Sequence, residues 1–484
     1  MRHAASGGKT AKLLIGILAG VLALVLALVA LWLFVLKDSP LFSDSNVTDG
    51  PGGQPGTEAP AQTGGSGSGS TTGTTTGSGT TVQPDPKPQG STYVNNAPAE
   101  GYDPSKTVTV TRPDTSDARV AQLKAQAAEY AKHYDYDEAL ALLNDYDHTE
   151  LEALAAQYQQ AKDELVLYNG MFYHVFFHSL IVDTDKAFDG DTDANGYNWY
   201  MTTVSEFKAM LPLFLENDFI LVDITELCWY DDEGNVHQTP LYLPAGKKPL
   251  IISIDDVNYY DYMKGDGFAE RLDVDENGRV VTIVDGQATY DGDVMPILDS
   301  FVEAHPEFSY KGAKGIVAVT GYQGAFGYRI TDLELYSAAQ GEYMLNKVTE
   351  VAQALRASGW QIANHSYTHN QYWNNKSITK TQLEYDTGRW LNEIMPYVGK
   401  TNIFISPFGV SFARNNFVFR YLVEKGFTIY CPVGSDMSTD IRGDVMMNSR
   451  LNLDGITMIR YPERISKHFF DPALVLDPAR PELK

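Results

Sequence analysis

The chain has 484 residues and a formal net charge of −25 at pH 7. Its length allows two or three domains. The acidity argues against a nucleic-acid partner, because few cations are available to neutralise phosphates over a broad surface.

The first predicted element is a membrane-spanning helix over residues 13–36, a stretch without a charged side chain. At roughly 1.5 Å per residue, such a helix is about 36 Å long, which is enough to cross a bilayer. Arg2, Lys9 and Lys12 precede it, so we expect residues 1–12 to be cytoplasmic and the remainder of a single-pass cell-membrane protein to be extracellular. A cleaved signal peptide is the alternative, but no small-residue cleavage pattern follows the apolar stretch.

Residues 37–101 form a predicted disordered linker. From Ser43 onward the composition is dominated by glycine, serine, threonine, proline and glutamine, which buries too little apolar surface to offset the entropy of ordering. A flexible coil of this length spans on the order of 40 Å. We interpret it as a tether that holds the following residues within reach of a wall or capsule.

A short helical spacer is predicted over residues 102–167. Apolar residues recur there at helical spacing in three stripes, which are Val120, Leu123, Ala127 and Tyr130, then residues 139–143, then Leu151, Leu154, Tyr158, Ala161 and Leu165. Thr149 to Glu152 fit a capping box at the start of the last helix. We expect the spacer to pack on the next domain, with partner binding as the alternative, and the sequence names no protein partner.

From residue 168 to 484, short apolar segments alternate with helical stretches, which predicts parallel strands joined by crossover helices. The predicted strands are residues 172–177, 219–222, 250–254, 315–319, 361–363, 402–405 and 427–431. Within an insertion over residues 272–284, Asn277 and Gly278 stand between alternating residues and predict a hairpin.

The two cysteines and two acidic loops each leave an alternative. Cys228 and Cys431 either form one disulfide or are two buried thiols. Residues 191–196 and 273–278 resemble the start of a calcium loop, but both lack the bidentate glutamate that such a loop needs. We therefore interpret them as solvated turns.

Two short motifs carry the chemistry of this chain. Asp255 and Asp256 end an apolar run that is predicted to be a buried strand. His365 and His369 are four residues apart, so on one helical turn both imidazoles can point at the same ion. Two imidazoles and a carboxylate suit a zinc-like cation with one coordination position left for water. The pattern predicts a hydrolytic metal site.

Residues from about 170 to 460 resemble the polysaccharide deacetylases of carbohydrate esterase family four. The opening motif of the family, T-F-D-D-G, corresponds to residues 253–257, and its second motif, N-H-[ST]-x-x-H, is matched in full by residues 364–369. The resemblance implies an α/β fold, a distorted (β/α) barrel, with the site at the carboxyl ends of its strands. Residues 168–484 are then the catalytic domain.

The resemblance also implies a role for each residue. Asp256, His365 and His369 are expected to bind a divalent metal, most simply Zn²⁺, and Asp255 is expected to be the general base. Backbone N–H groups around Phe408 are expected to stabilise the oxyanion. The expected substrate is an acetylated polysaccharide.

Two motifs depart from the family pattern. The third, R-x-P-[YFW]-G, reads I-S-P-F-G and begins at Ile405, where relatives have an arginine that pairs with the base, so we expect a higher pKa for Asp255. The last motif, Leu-x-His, has no counterpart in residues 450–455, and its histidine is the usual general acid. His178 is the first candidate to replace it, although it could equally line the rim, and His468 is a distant second.

Two classes of function follow from these motifs. The first is a membrane-anchored, metal-dependent deacetylase that hydrolyses N-acetyl groups of an N-acetylglucosamine-containing polymer, either peptidoglycan or an exopolysaccharide. The second is a catalytically impaired, glycan-binding pseudoenzyme on the same fold, and an O-acetyl esterase is a narrower third alternative. Retention of the three ligands and the base favours the enzyme.

Overall fold

The computed structural model of the chain describes residues 116–483. The anchor predicted for residues 13–36 and the linker predicted for residues 37–101 lie outside the described residues, and both stay predictions. Within residues 116–483, no helix combines the length and the apolar character needed to cross a membrane.

The helices mostly begin at residues whose side chains accept a backbone N–H, as helix starts require. Thr203, Ser337 and Thr379 each open a helix with a complete capping box. The α-helices of the described residues are α1 (Asp117–Lys132), α2 (Tyr136–Asn144), α3 (Thr149–Asp163), α4 (Thr184–Ala187), α5 (Ala194–Tyr200), α6 (Val204–Glu216), α7 (Val294–Ala304), α8 (Ala338–Ala357), α9 (Gln371–Asn374), α10 (Lys380–Arg389), α11 (Met395–Val398), α12 (Phe417–Glu424), α13 (Gly455–Arg460) and α14 (Pro462–Ser466).

The strands are short, and most are apolar. In chain order they are β1 (Val166–Leu167), β2 (Tyr173–Phe177), β3 (Phe219–Leu221), β4 (Cys228–Tyr230), β5 (Val236–Gln238), β6 (Tyr242–Leu243), β7 (Lys248–Ile254), β8 (Arg271–Val274), β9 (Val280–Val284), β10 (Gln287–Thr289), β11 (Ile316–Val319), β12 (Gln361–Asn364), β13 (Ile403–Ile405), β14 (Ile429–Cys431), β15 (Ser438–Arg442), β16 (Val445–Ser449) and β17 (Leu451–Asn452). Each of the seven predicted strands is present, within two residues at either end.

Helices α1, α2 and α3 pack together ahead of the sheet. They share an apolar core, made of Val120, Leu123, Ala127, Ala139, Leu140, Leu143, Leu151 and Ala155. The imidazole of His148 caps α3 by accepting the N–H of Glu150, so the predicted capping box at Thr149 is wrong by one residue. Lys311 lies in the segment between α7 and β11, and its amino group is 3.0 Å from the carboxylate of Asp137 on α2.

Within residues 116–483, one sheet of ten strands forms the centre of the fold. Its order is β15-β16-β14-β13-β12-β11-β7-β2-β17, and β3 pairs with the first half of β7. All pairings in this sheet are parallel except β15 with β16. The protein is therefore a mixed α/β fold with a mostly parallel sheet, as the alternation of apolar and helical segments predicts.

β16 lies next to one end of this strand order and β17 lies at the other end, and a single residue separates them in sequence. β16 pairs with β14 on one edge, β17 pairs with β2 on the other, and Arg450 lies between β16 and β17. The sheet must curl for β14 and β2 to reach the same segment. Residues 445–452 were not predicted as strand because Asn448, Ser449 and Arg450 interrupt the apolar pattern.

Both faces of the sheet are buried, which explains the continuous apolar character of its strands. Alternate residues enter two different clusters, with Ile252 on the face toward the helices and Ile251 on the opposite face. Cys228 and Cys431 belong to the second cluster and are free and buried. They are thiols rather than a disulfide.

The predicted hairpin is confirmed. β8 and β9 pair in antiparallel fashion, and Gly278 supplies the positive φ of +78° that the turn requires. The carboxylate of Asp275 accepts the N–H groups of Asn277 and Arg279. In the other acidic loop, Asp191 does the same for the two residues that follow Thr192. Both carboxylates stabilise their own turns, as expected for solvated loops.

Candidate metal centre

The motif residues gather at one edge of the sheet because each follows a parallel strand. Asp255 and Asp256 come directly after β7, and His365 comes directly after β12. His178 follows β2, and the turn that contains Phe408 follows β13. The carboxyl ends of parallel strands meet at the same edge, which is where open and closed α/β sheets place their sites.

Asp256, His365 and His369 offer three ligand atoms that lie within 4.8 Å of one another. The Nε2 atom of His365 is 4.0 Å from Oδ1 of Asp256, and the Nε2 atom of His369 is 3.8 Å from Oδ2 of Asp256. Ligands bound about 2.1 Å from a tetrahedral ion are roughly 3.4 Å apart. The three side chains therefore need only small movements to hold one cation.

Neighbouring groups fix the orientation of these ligands. Nδ1 of His365 donates to the backbone carbonyl of Ile405 at 2.9 Å, since a carbonyl can only accept, and Nε2 is the nitrogen that faces Asp256. The hydroxyl of Tyr260 donates to Oδ1 of Asp256 at 2.6 Å. Such supporting bonds accompany metal ligands in proteins. The donor set and its supports fit a zinc-like cation.

The second motif does not form the helical turn that its four-residue spacing predicts. It is a bend in which Ser366 and His369 have φ values of +65° and +42°. Asp386 on α10 holds this bend, because its buried carboxylate accepts the N–H groups of Tyr367 at 2.8 Å and Thr368 at 2.9 Å. The two imidazoles converge through this loop geometry and not through helical periodicity.

Backbone strain is concentrated around the same site. Asp256, His369 and Phe408 have φ values of +56°, +42° and +55°, all in the left-handed region that favours glycine. Residues in sparsely populated backbone regions cost on the order of 1–3 kcal/mol each, and they cluster at functional sites. The ring of Phe408 lies 4.3 Å from that of His369, measured between centroids. The turn after β13 is therefore in direct contact with a metal-ligand candidate.

Asp255 pairs with Arg450, which the sequence did not predict. Nη1 of Arg450 is 2.6 Å from Oδ1 of Asp255, and Nη2 is 3.0 Å from Oδ2, so the guanidinium binds both carboxylate oxygens. Both side chains are buried. Arg450 replaces the cation that Ile405 cannot supply, and it does so from a different strand.

The pairing corrects the expected charge state of the base. Burial is the largest influence and raises the pKa of Asp255, but the charges of Arg450 and then His365 outweigh it, so the pKa lies below its ordinary value. The expectation of a pKa higher than in relatives assumed that no cation lies beside Asp255, and that assumption is wrong. Burial also raises the pKa of Asp256, while His369 and His365 lower it to about 2. Two adjacent carboxylates thus both have lowered pKa values, Asp255 beside a guanidinium and Asp256 beside two imidazoles.

Arg450 is held in place by contacts on several sides. Its Nη1 donates to Oγ of Ser253 at 3.1 Å, and its guanidinium lies 4.3 Å from the ring centroid of Phe176. His174 lies 2.9 Å from the same Ser253 hydroxyl. The available sequence signal was an arginine that follows the apolar residues 445–447, because a buried arginine requires an anionic partner.

His178 lies close to the metal-ligand candidates. Its Nδ1 donates to the carbonyl of Tyr200 at 3.1 Å, which leaves Nε2 for other partners. Its charge contributes to the lowered pKa values of both Asp255 and Asp256, after larger contributions from other groups. Its role as the general acid stays a prediction.

His468 lies elsewhere in the fold. Its ring contacts Tyr173 at the amino end of β2, with centroids 6.0 Å apart, and its Nε2 is 2.9 Å from Asp436. His178 follows the carboxyl end of the same strand. The second candidate for the general acid is therefore wrong, because it lies at the opposite end of β2.

No family model matches the chain, and no curated protein matches it. Among solved structures, the chain is similar to the deacetylase domain of BpsB from Bordetella bronchiseptica, with 13% sequence identity and a TM-score of 0.25. That match covers 44% of this chain and 74% of the BpsB chain. A likeness this low carries no weight for the fold or the function, which have to be inferred from the residues of the site.

Proposed function

We propose that residues 168–484 are a metal-dependent polysaccharide deacetylase with a distorted (β/α) barrel fold. Its substrate is an N-acetylglucosamine-containing polymer, peptidoglycan or an exopolysaccharide, and its reaction is hydrolysis of the N-acetyl group. The observation that carries this proposal is that two adjacent carboxylates have different partners. Asp256 faces two imidazoles, whereas Asp255 faces a guanidinium and stays close to the same centre.

Asp256, His365 and His369 hold the metal in this proposal. When bound, a zinc-like cation polarises the acetyl carbonyl and lowers the pKa of water. The hydrogen bond from Tyr260 keeps the carboxylate of Asp256 directed toward the two imidazoles. The hydrogen bond from Nδ1 of His365 to the carbonyl of Ile405 keeps Nε2 of His365 directed toward Asp256.

Asp255 is the general base and takes the proton of the attacking water. Its Oδ2 is 3.9 Å from Nε2 of His365, so it lies beside the ligands without being one of the three. Arg450 binds both of its oxygens, which fixes the direction of the carboxylate and keeps it ionised before the reaction. Arg450 is a positioning residue, since it acts through Asp255.

His178 donates a proton to the leaving nitrogen in this proposal. Its Nδ1 is occupied by the carbonyl of Tyr200, so Nε2 is the atom that delivers the proton. Backbone N–H groups around Phe408 stabilise the developing oxyanion, and the loss of one such donor costs about 3 kcal/mol. The contact between the rings of Phe408 and His369 supports this placement.

We also propose that residues 13–36 anchor the protein in the cell membrane with the catalytic domain outside. The support is the charge-free stretch, which is preceded by Arg2, Lys9 and Lys12 and followed by a linker rich in glycine, serine and threonine. A tethered enzyme can reach a polymer layer beyond the membrane.

One observation favours a second candidate, a glycan-binding pseudoenzyme. The last motif of the polysaccharide deacetylases, Leu-x-His, has no counterpart in residues 450–455. Asp454 is buried and accepts the N–H of Thr457 at the start of α13, so it is used as a helix cap. The other argument for a pseudoenzyme, Ile405 in place of an arginine, loses its force because Arg450 pairs with the base.

Acetate release by the full-length chain tests the proposal. We expect the zinc-loaded protein to release acetate from N-acetylglucosamine oligomers, to stop when EDTA removes the metal, and to recover when zinc is restored. His178→Ala should lower the rate by roughly 10²-fold or more with zinc content unchanged, because a general acid contributes 10²- to 10⁴-fold. A protein that binds zinc and glycan but releases no acetate from N- or O-acetylated polymers would be the pseudoenzyme.

A further inference from the structure

An exposed tyrosine stands at the rim of the metal centre. The ring of Tyr322 lies 5.5 Å from the ring of Tyr260, measured between centroids, and Tyr260 donates its hydroxyl to Asp256. Tyr260 is buried, whereas Tyr322 is 51% exposed. A single aromatic ring therefore separates the open face of Tyr322 from a metal-ligand candidate.

The loop that carries Tyr322 is bonded to the loop that follows Asp256. The side-chain amide of Asn258 donates to the carbonyls of Thr320 at 3.3 Å and Tyr322 at 3.4 Å, and its oxygen accepts the N–H of Thr320 at 3.1 Å. One buried asparagine thus holds the backbone on both sides of Gly321.

Arg329 joins the same two loops from another direction. Its Nη1 donates to the carbonyl of Gln323 at 2.9 Å, and its Nη2 donates to the carbonyl of Tyr259 at 2.6 Å. Gln323 has a φ of +57°, an unfavourable conformation that these bonds maintain. The backbone beside Tyr322 is consequently fixed relative to Asp256.

The loop also packs against the second motif. The N–H of Gly321 donates to the carbonyl of Tyr367 at 3.0 Å, and a Cβ at position 321 would lie 2.0 Å from the ring of Tyr367. Glycine is required by this close approach. Tyr322 is therefore presented from a loop that contacts both the segment after Asp256 and the segment between His365 and His369.

We propose that the exposed face of Tyr322 is a sugar-binding platform, which stacks on the pyranose ring next to the unit that loses its acetyl group. The inference rests on the glycan substrate of the proposed function. One face of a pyranose ring presents C–H groups, and rigid aromatic rings supply apolar contact of the right shape at little entropic cost. A platform one ring away from the centre recognises a chain of at least two sugars, so the substrate is a polymer or oligomer and not a monosaccharide.

A second exposed tyrosine, Tyr343, has no such contact with Tyr260 among the ring contacts of the described residues. Tyr343 is 52% exposed, but it lies within α8, and its ring contacts the ring of Tyr328. Scattered exposed aromatic residues are normal on protein surfaces. Tyr343 therefore provides a control that is matched in residue type and exposure.

Binding of an N-acetylglucosamine pentamer tests the platform separately from turnover. The full-length chain is titrated calorimetrically with the pentamer in the presence of EDTA, and acetate release is measured in parallel with zinc. We expect Tyr322→Ala to weaken pentamer binding about tenfold, the loss of one stacking contact. Tyr322→Phe keeps the ring and should bind within about twofold of the parent, as should Tyr343→Ala.

The outcomes separate the platform from the chemistry. Weaker binding by Tyr322→Ala alone supports the platform, even if the parent releases no acetate, in which case the deacetylase proposal fails. If Tyr322→Ala and Tyr343→Ala bind the pentamer as tightly as the parent, the platform proposal is overturned. If the parent also releases acetate, the deacetylase proposal still stands. A parent that does not bind the pentamer overturns the platform for this class of glycan.

Discussion

Two buried aspartates, one at the end of β7 and one at the start of α7, have different hydrogen-bonding partners. Asp255 follows β7 and faces the guanidinium of Arg450, which helps to hold its pKa below the ordinary value despite burial. Asp293 precedes α7 and accepts bonds from Tyr259 and from the N–H groups of Leu180 and Val294, and burial raises its pKa to about 6. Neutral donors do not fully offset the cost of burial, whereas a paired cation does.

The comparison implies that Arg450 keeps Asp255 ready to act as a base. Replacement by methionine, Arg450→Met, preserves much of the side-chain volume and leaves a buried carboxylate without its cation. We expect the free energy of unfolding to fall by about 3 to 5 kcal/mol, and deacetylation to fall by roughly 10²-fold or more because the base becomes protonated or misdirected. Denaturant unfolding and acetate release measure the two effects.

A second bidentate ion pair, between Arg420 and Asp444, is the control for this substitution. Arg420 binds both oxygens of Asp444, at 3.0 and 2.6 Å, but both side chains are substantially exposed. Arg420→Met should cost no more than about 1 kcal/mol, as exposed ion pairs do. Equal costs for the two substitutions would mean that Arg450 has no special role beyond an ordinary ion pair.

A cation supplied from position 405, where the motif of the polysaccharide deacetylases has its arginine, should restore part of the activity that we propose. Ile405 pairs with Cys431 across β13 and β14, and the thiol of Cys431 lies close enough to Arg450 and Asp255 for their charges to affect its pKa, after burial, which raises it. We expect the double variant Ile405→Arg, Arg450→Met to release acetate faster than Arg450→Met alone, because the guanidinium can again reach the base. A double variant no faster than Arg450→Met would show that the strand of origin matters.

The pH dependence of stability should distinguish the two aspartates. A carboxyl group whose pKa is raised by folding favours the folded state while it is protonated, so the contribution of Asp293 is complete below about pH 4 and is lost as the pH rises to about 6. The full effect is about 3 kcal/mol for a shift of this size. Asp293→Asn keeps an oxygen for Leu180 and Val294, so its stability should lack this decline. Parallel curves for the parent and the variant between pH 4 and 6 would contradict the raised pKa.

The strands and the ligand set were predictable, and the reasons are physical. Buried parallel strands are apolar on both faces, so β2, β7, β11 and β14 stand out in the sequence, and residues that follow such strands must meet at one edge. The spacing of His365 and His369 pointed to two side chains that the structure does bring together with Asp256, but for an incorrect local reason. A loop brings them together, and its anchor, Asp386, lies on a helix that sequence spacing does not connect to it.

Arg450 could not be placed from the sequence because its partner is almost two hundred residues away. The segment from residue 445 to 452 contains three consecutive polar residues, 448–450, on a sheet whose other strands are mostly apolar. Two of their side chains, Asn448 and Arg450, bind His174 and Asp255. Only the curl of the sheet, which brings β14 and β2 to the two edges of this segment, explains why a charge is stable there.

The central claim is that Asp256 binds the metal while Asp255 takes the proton. Zinc content and acetate release, measured together on full-length Asp256→Ala and Asp255→Asn, test this claim most directly. We expect Asp256→Ala to lose zinc, because a direct ligand is removed, and Asp255→Asn to keep zinc while turnover falls to background, because an amide cannot accept the proton. Loss of zinc from Asp255→Asn with zinc retained by Asp256→Ala, or turnover by Asp255→Asn close to that of the parent, would contradict the account.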